Sequence, residues 1–162
     1  MSHAAASRRG QGFTLVELVL VLGVAAVLAA IAVPRYVSAT SRYRVQLAAD
    51  RIARDIAHVQ QRALLRGASQ TITFVPASRS YTITGMVDPD FPAKTYTVSL
   101  SADPYRAATL AADFGGGAVL TFNGHGVPAA GGTVAVKAQG YACTVSVAGV
   151  SGVATVTAPT AE

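Results

Sequence analysis

A chain of 162 residues that is 51% hydrophobic has room for one domain of ordinary size plus a separate apolar block, and its single cysteine, Cys143, excludes an intramolecular disulfide or a zinc site of several cysteines. The formal charge of +5 sits in one stretch: residues 35–66 hold seven arginines against Asp50 and Asp55, whereas residues 67–162 are net −1. A basic pI of that origin argues against a nucleic-acid surface on the carboxyl-terminal part of the chain.

The first predicted element is the apolar run Phe13 to Val33, preceded by a short polar stretch with Arg8 and Arg9. As a helix rising about 1.5 Å per residue it reaches roughly 31 Å, the thickness of a bilayer's hydrocarbon core. Pro34 follows, where a missing backbone donor and the restriction it places on Val33 predict a kink or break. Glu17 is the anomaly in this run, costing about 2.5–3.5 kcal/mol near mid-bilayer and less near an end. An ordinary cleaved signal peptide, with Ala30-Ile31-Ala32 as its cleavage pattern, has no use for that charge, and neither has a plain membrane anchor.

Gly12-Phe13-Thr14-Leu15-Val16-Glu17, with a basic leader before it and unbroken apolar sequence to Pro34 after it, strongly resembles the class III signal of type IV pilins and pseudopilins. The resemblance implies a leader of residues 1–12, removed by a prepilin peptidase that cuts between Gly12 and Phe13 and methylates the new terminus at Phe13. It implies a transmembrane and polymerisation helix at 13–34, in which Glu17 pairs with the amino terminus of a neighbouring subunit. A carboxylate in lipid then serves as a registry device that assembly neutralises. Partners implied are other pilin or pseudopilin subunits, the peptidase and an inner-membrane assembly platform. The carboxyl domain is expected outside the cytoplasm, although the arginines beyond the span outnumber the two before it, the reverse of the positive-inside pattern.

From about Ser38 the period becomes helical. Val45, Ala48, Ala49, Ile52, Ile56, Val59 and Ala63 line one face of a predicted amphipathic helix spanning 35–66. Arg44, Arg51, Arg54, Asp55, His58 and Arg62 are read as its polar face, with Asp50 and Arg54 a favourable i, i+4 pair. Arg66-Gly67 is the stop signal. Tyr36 and Tyr43 suit a membrane interface or packing between subunits.

Beyond Gly67 the period is two. Predicted strands are Thr71–Val75, Ser80–Thr84, Thr95–Leu100, Ala118–Phe122, Thr133–Gln139, Thr144–Ala148 and Val153–Thr157, separated by glycine, proline or aspartate. Inward residues are Ile72 with Phe74, Tyr81 with Ile83, Tyr96 with Val98 and Leu100, and Val134 with Val136. Ala158–Glu162 reads as a loose tail. The expected architecture is α+β: a long hydrophobic helix continuing into an amphipathic helix packed on a small antiparallel sheet or sandwich spanning 67–162.

"RVQLAADRIARDIAHVQQRALLRGASQTITF", Arg44 to Phe74, resembles the helix-to-strand region of H-type minor pseudopilins of type II secretion and of FimT-like minor pilins, matching at Leu47, Ala48, Ile52, Ala53, Arg54 and Ala63 with Asp55 near the acidic position. Ala118 to Val136 resembles their late hairpin. The resemblance implies a minor subunit that helps to start or cap a type II secretion pseudopilus or type IV pilus. Alternatives are a major subunit, a DNA-binding minor pilin for DNA uptake, and a secreted β domain with an ordinary signal. Ala148 to Val153, where DNA-binding relatives carry arginines, has no arginine or lysine, so nucleic acid is not expected as a partner.

No catalytic, cofactor or metal site is expected. His58 and His125 accompany no nucleophile elbow, phosphate loop or metal spacing, and Asn123-Gly124-His125-Gly126 reads as a hairpin turn. Asp88-Pro89-Asp90 offers two acids without a third calcium ligand, and Cys143 reads as a small apolar strand residue.

Overall fold

The computed structural model describes residues 13–88 and 91–161, and the chain divides into two compact units, Met1–Val37 and Ser38–Glu162. Helix α1, Leu15–Arg66, belongs in part to each. Of the kink or break expected at Pro34, the break does not occur: the helix continues through that residue. Its end falls where the stop signal placed it: Gly67 takes a φ of 58° and its N–H reaches the Leu64 carbonyl at 3.3 Å.

In the second unit the strands are β1 Gln70–Val75, β2 Ser80–Val87, β3 Thr95–Ser99, β4 Thr109–Asp113, β5 Val119–Phe122, β6 Gly132–Ala138, β7 Tyr141–Val147, β8 Ala154–Val156 and β9 Thr160–Ala161. A short 3-10 turn, Pro76–Ser78, links β1 to β2. All pairings are antiparallel. One sheet runs β3-β2-β1-β5, and the other runs β4-β6-β7-β8 with β9 also against β7.

Alternation places Ile72 opposite both Ile83 and Leu120, Phe74 opposite Tyr81, Val134 opposite Val145 and Val136 opposite Cys143, all buried. Phe74 stacks at 5.8 Å on Phe114, just beyond β4, which carries the core from one sheet to the other. The predicted helix stripe, Val45 through Ala63, is buried throughout. Burying each larger aliphatic contributes about 1.5–3 kcal/mol. Helix half, two sheets and core therefore form the expected α+β domain.

Three expectations are corrected. Asp55 is not on the polar face but buried, because position 55 falls on the stripe between Ile52 and Val59. Its carboxylate accepts from the Tyr81 hydroxyl at 2.6 Å and from Arg51 Nε at 3.2 Å, while Arg51 Nη2 also donates to the Tyr96 hydroxyl. Arg54 does not bridge to the Asp50 carboxylate; its Nε donates to the Asp50 carbonyl, and Gln46 takes the carboxylate at 2.9 Å. The strands number nine among the described residues rather than seven. Thr109–Asp113 pairs with β6, and the supposed loose tail supplies β9, with Thr160 opposite Ala142 and Ala161 opposite Tyr141.

Candidate assembly segment

The amino-terminal site is built from a helix start. Thr14 lies just outside α1, and its Oγ1 accepts the Glu17 N–H at 3.2 Å while its carbonyl accepts the Leu18 N–H at 3.1 Å. Thr14 is thus the N-cap, and Glu17 stands three residues on, in the first turn, where a negative charge complements the exposed N–H groups and the helix dipole. The signal was present in the sequence: Thr-Leu-Val-Glu has the Ser/Thr-x-x-Glu spacing of a capping box. Glu17 therefore has a capping position beside the assembly role expected from its charge, and Thr14 has a structural role beyond its place in the motif.

Phe13 is 79% exposed, and the large aliphatics from Leu15 to Val33 are exposed too. Soluble domains do not leave such a surface bare along a whole helix. The segment's mean hydropathy of 2.8 and its length suffice to cross a membrane. Gly12, the leader residues 1–12 and thus one side of the expected cleavage site lie outside the described residues. Pro34 lies inside α1, and Arg35, Tyr36 and Tyr43 are exposed.

At the far end of the domain, three segments are joined by Gln60. Its Nε2 donates to the Gly126 carbonyl at 2.8 Å and the Ser151 carbonyl at 2.7 Å, tying α1 to the turn after β5 and the turn after β7. Asn123-Gly124-His125-Gly126 is a turn as expected: Asn123 Oδ1 accepts from the N–H groups of His125 and Val127, both at 3.0 Å. Gly124 abuts the end of α1, since a Cβ there would stand 2.5 Å from the Gly67 carbonyl oxygen. The turn after β7 closes through Ala148 N–H to the Val153 carbonyl at 3.1 Å and leaves Val150 87% exposed. Gln60, one of two adjacent glutamines in a stretch rich in arginine, carries no sequence signal of this role.

The remaining sequence candidates fall into local structure. His58 lies on the exposed side of α1 and His125 in its turn, and no cluster of three or more His, Cys, Asp or Glu able to share a metal occurs among the described residues. Asp88 Oδ1 accepts the Phe91 N–H at 3.3 Å; Pro89 and Asp90 are outside the described residues. Cys143 is buried with its thiol toward the Thr157 carbonyl at 2.9 Å, and burial, with the charge of Asp50, pushes its pKa up, away from a reactive thiolate.

Comparison with known proteins gives two family matches. The family described as type II transport protein GspH matches residues 48–151, and the prokaryotic N-terminal methylation motif matches residues 7–33. Among solved structures, two crystal forms of the Pseudomonas aeruginosa type IV minor pilin FimU are similar. One is 20% identical with a TM-score of 0.49 over 74% of this chain and 90% of that one; the other is 16% identical with a TM-score of 0.49 over 69% and 91%. The sequence matches none of the curated proteins.

Proposed function

The chain belongs to the GspH family of type II transport proteins, and on that premise we propose that it is a minor pseudopilin or pilin: a structural subunit that helps to start or cap a secretion pseudopilus or pilus filament. The observation that carries the proposal is the helix start itself. An apolar, exposed helix begins at Leu15, capped by Thr14, with one carboxylate in its first turn and a methylation motif covering residues 7–33. In this reading a prepilin peptidase cuts between Gly12 and Phe13 and methylates Phe13. The helix of residues 13–34 then holds the subunit in the inner membrane with the β domain on the outer side. Glu17 meets the ammonium of a neighbouring subunit's Phe13, so two charges that are costly in hydrocarbon neutralise each other only in the filament. Pro34 marks a bend where the segment leaves the lipid. The β domain is then a structural partner surface rather than an enzyme.

Mass spectrometry of the protein recovered from its native membrane tests the processing step. A mature chain beginning with N-methylated Phe13 is expected. A chain beginning at Val33 would show an ordinary signal peptide and end the proposal.

A further inference from the structure

Arg54, His58, Arg62 and Arg66 recur every four residues along the outer side of α1, with no acid in partnership: the ion pairs among the described residues are Arg51 with Asp55 and Arg106 with Asp103. The last three of that row, with Gln61 and Leu65, line an open hollow of about 310 Å³. Cations in the last turns of a helix are ordinarily explained by the helix dipole. Two features of this hollow exceed that explanation. Arg62 Nη2 donates to the Gly85 carbonyl, which holds the guanidinium at this face, but its Nε is buried without a hydrogen-bond partner. Leu65 stands beside it at 88% exposure, so the hollow joins cations to an uncovered aliphatic group.

We propose that this hollow docks an acidic segment of another polypeptide, one carrying a carboxylate next to an aliphatic side chain. The carboxylate lies between the Arg62 and Arg66 guanidiniums, and the aliphatic group covers Leu65. The charge balance of the row supports an anionic occupant. Loss of hydration on burial and, secondly, the neighbouring Arg66 charge both lower the Arg62 pKa, and an anion opposes that effect. A nucleic-acid strand fits less well, because single strands gain much of their affinity by stacking on large aromatic rings and the hollow has no Phe, Tyr or Trp, only the His58 imidazole. This inference is independent of the processing of residues 12 and 13.

The test is a histidine-labelled NMR titration of the full chain in detergent micelles, with His58 as reporter and His125 as internal control. An acetylated Asp-Leu-Glu peptide, its Asn-Leu-Gln counterpart and a short oligothymidylate are the probes. A saturable His58 shift with the acidic peptide only is expected, weakened at least fivefold by Arg66→Gln and by Leu65→Ser, both at exposed positions. Arg62→Gln serves as a third variant. An absent or unsaturable His58 shift overturns the proposal. So does tighter binding of oligothymidylate that is indifferent to Leu65→Ser, which would identify a nucleic-acid surface instead.

Discussion

The Tyr81 hydroxyl donates to Asp55 Oδ2 at 2.6 Å, and both residues are buried where α1 meets β2. Arg51 completes the arrangement from the helix side, and Tyr96 on β3 reaches the same guanidinium and, at 3.5 Å, the same carboxylate oxygen. An apolar helix stripe can slide along an apolar sheet with little loss of contact. A buried carboxylate aimed at two tyrosines on adjacent strands fixes the register, because a shift strands a charge in the core.

Replacing Tyr81 by Phe removes a hydrogen bond to a charged acceptor and should cost about 1.5–3 kcal/mol in denaturant unfolding. The same tyrosine sets an alkaline limit. Burial first, and then the adjacent Asp55 charge, raise the Tyr81 pKa above its ordinary value of 10.0. The unfolded chain therefore releases this proton while the folded chain keeps it. Stability is fully present below about pH 10 and falls above it, by up to about 1.4 kcal/mol per pH unit for one group. Tyr96 is also raised, so Tyr81→Phe should flatten the decline without abolishing it. An identical decline in the variant would remove Tyr81 as its cause.

Gly124→Ala should destabilise the domain by about 1–3 kcal/mol, because the added methyl meets the Gly67 backbone, which ends α1 and cannot rotate away as a side chain can. Gly117→Ala is the matched control, with nothing within 4 Å of the new carbon, and should stay within about 0.5 kcal/mol. Thermal unfolding of the two variants side by side checks the contrast. Equal melting temperatures would mean that the turn after β5 does not rest on the helix end.

Most of this architecture was legible because two periodicities write it plainly. Val45 to Ala63 at helical spacing and Ile72, Phe74, Tyr81 and Ile83 at alternating spacing are all buried where pattern alone placed them. The pattern failed where polarity and burial part company. Asp55 was read outward because it is charged, though it lies in phase with Ile52 and Val59 and its partner Tyr81 is 26 residues away. Strand β4 escapes the period because Leu110, between Thr109 and Ala111, is its one bulky inward residue, and its strand character comes from pairing with β6. Ala158–Glu162 reads as a loose tail because the two residues of β9 carry no period at all. In the amino-terminal segment Glu17 stands out by its charge, while the signal of Thr14 lies only in its spacing three residues before Glu17.

Gln60→Ala removes two hydrogen bonds to carbonyls distant in sequence, each worth about 0.5–1.5 kcal/mol, and water can reach the exposed Ser151 carbonyl afterwards. The global effect should therefore be modest, about 1–2 kcal/mol, and the local effect larger. Amide exchange should speed up at Gly126 and Gly152, whose N–H groups bond to the Asn123 and Ala148 carbonyls inside the two tethered turns. Protection at Thr82 and Val145, within the sheets, should be unchanged. Unaltered exchange in both turns would show that they hold their shape without the tether.

The two roles open to Glu17 can be separated by one substitution. As a first-turn residue after the Thr14 N-cap it can be replaced by Gln, which also serves at that position of a capping box, so helix start and peptidase recognition should survive in Glu17→Gln. As half of an ion pair it cannot, since an amide brings no charge to a neighbouring ammonium in lipid, and losing one partner of a buried pair costs about 3–5 kcal/mol. Glu17→Gln and Glu17→Ala should therefore both be processed normally and both enter filaments at least roughly tenfold less than the native chain, a factor that needs only about 1.4 kcal/mol. Quantitative immunoblotting of sheared filaments against membrane fractions reads the ratio. Normal incorporation of Glu17→Gln alongside failure of Glu17→Ala would assign the carboxylate to helix capping and take the intersubunit pairing away.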